Sequence, residues 1–155
     1  MRRDLGSGVE TEVYRTPLTE ALALSPDGRL LAFASAERAG QSTVAILKVL
    51  PVAGREPREL LRVNSPQSIR SPAWMPDGGS LLVVTGAASQ RNPREELWQV
   101  PLEGGVPRSL GILPGGIVHH LSLHPDGRRL AFSTHRTLNE VWVMENFLAA
   151  ARPGR

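Results

Sequence analysis

Apolar residues in this chain come in short runs separated by polar turns, and the same order of run and turn returns three times. Each return is marked by a tetrapeptide ending in Pro-Asp-Gly: Ser25-Pro26-Asp27-Gly28, Met75-Pro76-Asp77-Gly78 and His124-Pro125-Asp126-Gly127, at intervals of 50 and 49 residues. A short apolar run precedes each tetrapeptide (21–24, 71–74, 120–123) and a longer one follows it (30–34, 81–85, 130–134). Proline pre-sets φ at the first central turn position, aspartate bonds forward to backbone N–H groups, and glycine takes a positive φ without steric cost. The pattern therefore predicts strand, turn, strand, with Pro26, Asp27 and Gly28, then Pro76, Asp77 and Gly78, then Pro125, Asp126 and Gly127 as structural turn residues.

About ten residues further on comes a third apolar segment (44–49, 96–100, 140–144). In the first two repeats a glycine-containing turn (52–54, 103–105) then leads to a fourth segment (58–62, 107–110). Four short strands per repeat of about 50 residues, without helical periodicity, predict the blade of a β-propeller. The strands are apolar on both parities, as stacked sheets covered on two faces require. A proline and glycine in every repeat argue against a helical solenoid.

The expected fold is all-β: an incomplete, open propeller of about three four-stranded antiparallel repeats. Residues 1–15 read as the remnant of a preceding blade, 16–63 as the first blade, 64–111 as the second and 112–155 as an incomplete third, all in one propeller domain. Within the remnant, 3–5 and 9–14 read as strands around the turn Gly6-Ser7-Gly8. Three blades cannot close a ring, so both terminal blades are expected to expose a sheet face, and such patches recruit partners. Met1 falls inside a blade pattern, which favours a C-terminal piece of a longer propeller over a self-associating chain.

Composition adds mainly exclusions. The 155 residues carry a net charge of +3, almost all of it from scattered arginines, Lys48 being the sole lysine. Charge without a run, and aromatics at 5%, describe a solvated surface and not a nucleic-acid track. With no cysteine, disulfides, thiolate zinc sites and cysteine nucleophiles are excluded, and the compartment stays open. The N-terminus lacks the apolar stretch of a signal peptide. The longest apolar run, 44–49, is broken by Lys48 and is far short of the ~18 residues that span a bilayer. A protein or peptide partner is expected, and neither nucleic acid nor membrane.

A strand, Ser-Pro-Asp-Gly, an apolar strand, then Leu97-Trp98-Gln99-Val100 and a glycine turn resembles the WD-like repeats of the TolB family, over nearly the whole chain. The stretch from His124 to Ser133, followed by 140–148, is similar to the C-terminal end of propellers that bacterial multidomain proteins carry after a kinase or winged-helix domain. The resemblance implies a sensor or scaffold within a larger bacterial signalling or envelope protein. The alternative is the accessory propeller of a prolyl-oligopeptidase-like peptidase without its hydrolase domain. A third reading is a gene remnant without a function of its own.

No catalytic machinery is expected. There is no Gly-x-Ser-x-Gly elbow, and Gly104-Gly105 and Gly115-Gly116 lack the context of a phosphate loop. Trp98 and Trp142 hold equivalent repeat positions and, with Trp74, read as core. All four histidines lie in the last repeat. His124 belongs to the turn, whereas His119, His120 and His135 are expected on the opposite rim. There they join the connections 37–42 and 88–94 and, six residues before each turn proline, positions Glu20 and Arg70. Arg70, Arg91, Arg94, His119, His120 and His135 are thus the candidate binding residues, for an anionic ligand or acidic peptide. No metal is expected, because His119 and His120 are strand neighbours and point to opposite sides. No cofactor is implied.

Overall fold

The computed structural model describes residues 1–16, 19–87 and 94–135, and all their regular structure is β. A short hairpin opens the chain, β1 (Arg2–Arg3) with β2 (Glu10–Thr11). The first blade is β3 (Thr19–Leu24), β4 (Leu30–Ala39), β5 (Ser42–Pro51) and β6 (Arg58–Asn64), hydrogen-bonded antiparallel in that order. The second repeats it with β7 (Gln67–Trp74), β8 (Ser80–Ala87), β9 (Glu95–Pro101) and β10 (Arg108–Leu113). The third begins with β11 (Ile117–Leu123) and β12 (Leu130–His135), paired antiparallel. Its third-strand segment 140–144 with Trp142, and the tail 149–155, lie outside the described residues. Among the described residues the sheets do not close into a ring, as in an incomplete propeller.

The three Pro-Asp-Gly turns are superimposable in their bonding. The N–H groups of Gly28, Gly78 and Gly127 each donate to the carbonyl three residues back, at 2.9 Å. Their φ values are 71°, 68° and 69°, the left-handed region that favours glycine. Asp27, Asp77 and Asp126 each accept, through Oδ1, the N–H two residues on, at 3.0, 2.9 and 2.9 Å. At Asp27 and Asp126 the bonds favour the ionised carboxylate. The Ser25 hydroxyl, then the Arg29 N–H, hold Asp27 below the ordinary range, and the Arg128 N–H followed by Arg129 and His124 does so for Asp126. Nothing crowds a Cβ at Gly78, so Gly78→Ala costs only its conformation. The unfolding free energy should fall by about 1–2 kcal/mol, read as a lower urea midpoint at unchanged slope.

Blades pack large residues onto small ones. On one face of the first blade, Ala23, Ala32 and Ala34 lie beside Leu47 and Val49; against them the second blade sets Ile69, Trp74, Leu81 and Val83. The opposite face of the second blade offers Ala73, Leu82, Val84 and Leu97 to Val118, Leu121, Leu123 and Leu130 of the third. Alternation along β8 thus feeds both cores, Leu81 and Val83 to one side and Leu82 and Val84 to the other. Trp74 is buried in the core as expected, Trp98 packs half-buried against it, and among the described residues the Trp98 indole nitrogen has no hydrogen-bond partner.

Two differences from the sequence reading concern the ends. The polar connection expected at 37–42 is instead a continuation of the β4/β5 hairpin, because cross-strand pairing runs on through Glu37 with Val44 and Arg38 with Thr43 after the apolar run has stopped. The terminal faces also differ from each other. The outward face of the first blade is apolar (Leu22, Leu24, Leu31, Phe33), whereas that of the β11/β12 pair carries Ser122, Ala131 and Ser133. The N-terminal segment reaches the first of these, Tyr14 meeting Phe33 with ring centres 5.4 Å apart.

Candidate functional site

The first strands β3, β7 and β11 lie side by side and line a cleft of about 480 Å³ whose walls include Ala21, Ala23, Ser71, Ala73, His119 and His120. Each of these strands carries a register shift at the corresponding place: between Thr19 and Ala21, between Arg70 and Ala73, and between Val118 and His120. A bulge turns the strand and re-aims the side chains around it. In β7 it accommodates Pro72, which has no N–H to give a ladder. It also puts Ser71 at φ 27°, an uncommon value for a residue with a Cβ. Ser71 is buried there, and its hydroxyl accepts the N–H of Leu121 at 2.8 Å. On the other side Trp74 Nε1 donates to the Ala23 carbonyl at 3.0 Å. One strand therefore pins the blades on both its flanks.

The candidate binding residues separate into different surroundings. Arg70 is half-buried and its Nε donates to Glu95 Oε2 at 3.2 Å. Glu95 is fully buried, and its Oε1 has no partner. Burial raises the Glu95 pKa, while the charge and hydrogen bond of Arg70 pull it back. The carboxylate reaches across Gly86, where an added Cβ would stand 2.4 Å from Oε1, so only glycine leaves room for the pair. Arg70 thus has a resident anion from its own sheet. Arg94 is exposed and lines a separate cleft with Gln67, Thr85, Glu96 and Ile112. Arg91 lies outside the described residues, and Glu20, like Arg70 and His119, stands at a register shift of its strand.

Two of the histidines meet across neighbouring strands. The register shift inserts His119 as an extra residue between the pairs Val118 with Thr134 and His120 with Ser133. Its Nε2 lies 2.7 Å from Nδ1 of His135, with ring centres 4.9 Å apart. His120 stays exposed in the cleft wall beside them. His124 belongs to the turn, as expected, its Nδ1 3.0 Å from Asp126 Oδ1 and its ring beside the Arg129 guanidinium. Glu95 was the residue missed in the sequence; only its place opposite a glycine, Gly86, hinted at it. Among the described residues no three His, Cys, Asp or Glu side chains gather as a metal-holding group.

No family model matches the chain. It is similar to the Tol-Pal system protein TolB of Anaeromyxobacter dehalogenans strain 2CP-1, 36% identical over 88 residues, covering 54% of this chain and 18% of that protein. The TolB of Anaeromyxobacter sp. strain K is 36% identical over 80 residues, covering 49% and 16%. The matched stretch is thus under a fifth of the length of these curated relatives. Among solved structures, hydrazine synthase of Kuenenia stuttgartiensis superimposes with a TM-score of 0.53 over 72% of this chain and 35% of that one, at 17% identity. That likeness concerns the fold alone. The chain is TolB-like in sequence and built of propeller blades.

Proposed function

We propose that this chain is a non-catalytic protein-interaction or sensing module, the propeller part of a larger bacterial signalling or envelope assembly. The observation that carries the reading is the outward face of the first blade. Leu22 and Leu24 are 65% and 56% exposed beside buried Phe33 and Leu50, so the sheet continues an interior-like surface into solvent. It presents large residues, as the second blade does where it meets the alanines of the first. A partner surface of small residues, such as another blade, complements it. The similarity to TolB supports a propeller in the same role, and the absence of a nucleophile elbow from the sequence is consistent with binding and not turnover.

Native mass measured by sedimentation across the micromolar range tests this. The chain should associate reversibly, and Leu22→Glu with Leu24→Glu should return it to monomer with unchanged circular dichroism. A wild-type chain that stays monomeric throughout would show that this face does not bind a blade-like surface.

A further inference from the structure

We propose that His119 and His135 form a two-ligand site for a divalent first-row transition cation, of the class of Ni²⁺, Cu²⁺ and Zn²⁺. The inference stands independently of the interaction reading. The two imidazoles meet nitrogen to nitrogen, Nε2 of His119 and Nδ1 of His135 being 2.7 Å apart. The 4.9 Å between ring centres shows that they meet at their edges and are not stacked, so both lone pairs converge on one point. In the apo protein one proton occupies that point, since only one of the two nitrogens can be the acceptor. A cation that bonds imidazole at about 2.0–2.1 Å spreads two adjacent ligands to roughly 3 Å. When the donor ring carries its proton on its other nitrogen and the two exposed rings turn, both facing lone pairs can hold one metal.

The backbone makes the pair. Ile117 stands opposite His135, and His119, two residues on, belongs to the same face of the sheet. The register shift between Val118 and His120 leaves His119 as an extra residue without a cross-strand partner in the ladder. His135 stands at the end of β12, paired with Ile117, and the two rings come from neighbouring strands that the hydrogen-bonded ladder holds in place. Neutral imidazole suits Ni²⁺, Cu²⁺ and Zn²⁺, and poorly suits Ca²⁺ or Mg²⁺, which take oxygen ligands. Two histidines leave the remaining positions to water or to a donor atom from a bound molecule, and His119 lines the cleft formed by β3, β7 and β11.

Calorimetric titration of the full chain with Ni²⁺ and with Zn²⁺ is the test, with Mg²⁺ as the oxygen-preferring control. One equivalent should bind, His119→Ala and His135→Ala should each weaken it at least tenfold, and His120→Ala should leave it unchanged. In the wild-type spectrum, substoichiometric Zn²⁺ should move the ring signals of His119 and His135 together while those of His120 and His124 stay in place. Equal affinity in the His119→Ala/His135→Ala double variant would overturn the proposal. So would a loss shared equally by His120→Ala, or ring signals of all four histidines moving alike, either of which would mark scattered surface coordination.

Discussion

Replacing Arg70 by alanine is expected to lower the unfolding free energy by about 3–5 kcal/mol, the cost of stranding a buried charge without its partner. Glu95 is the charge concerned: it is fully buried, and among the described residues one of its oxygens has no partner while the other accepts a hydrogen bond from Arg70. Against a total stability of about 5–15 kcal/mol for a domain, that loss is severe. Glu95→Gln added to Arg70→Ala should recover much of it, because the neutral amide removes the ionic part of the penalty. Chemical denaturation of the single and double variants measures both effects. A deficit below about 1 kcal/mol in Arg70→Ala would mean the carboxylate finds water, as exposed pairs do.

The pH dependence follows from the same pair. The folded pKa of Glu95 is raised by burial, so between its unfolded and folded values the native state holds more protons than the unfolded one. Stability falls with rising pH wherever the native state binds more protons. Without Arg70 the folded pKa rises further. The Arg70→Ala deficit should therefore be largest at neutral pH and shrink on acidification through the raised value, provided the comparison is made with wild type at each pH.

The second large effect is expected at Trp74. Trp74→Ala should cost about 3–5 kcal/mol, the range for removing a buried aromatic side chain. The indole is 7% exposed, packs in the core between the first and second blades, and donates to the Ala23 carbonyl on the neighbouring first strand. Trp74→Phe keeps most of the apolar volume but leaves that carbonyl without its donor, so it should lose less, about 1–3 kcal/mol. Thermal unfolding by far-ultraviolet circular dichroism distinguishes the two. If Trp74→Ala costs no more than Gly78→Ala, the blades are held elsewhere.

Sites and fold were legible in the sequence to different degrees. The three turns could be placed from the tetrapeptides because proline, aspartate and glycine each satisfy a local backbone demand, and the hydrogen bonds of Asp27, Asp77 and Asp126 meet it identically. The four-strand order of the first two blades followed from apolar runs between those turns. Strand ends were less visible: β4 continues through Glu37 and Arg38, where ladder pairing and not burial sustains it. His124 takes its expected place in the turn, but the neighbourhood of Arg70 was not legible. Its partner Glu95 is 25 residues away in the chain, and its sequence surroundings look like any polar strand start.

What the sequence determined by itself is therefore the local grammar: the repeat, the turns, the two-sided apolar strands and so the propeller blade. Those features depend on residues within a few positions of each other, whose φ preferences and alternation are written in their own chemistry. Tertiary structure alone decided which face of the first blade remains open, that Arg70 is held by Glu95 over Gly86, and that His119 meets His135. Each of these depends on register, and the shift of one residue between Val118 and His120 changes which side chains share a face. Register is fixed by the balance of a whole ladder and the blades packed on it, and no single position along the chain records it.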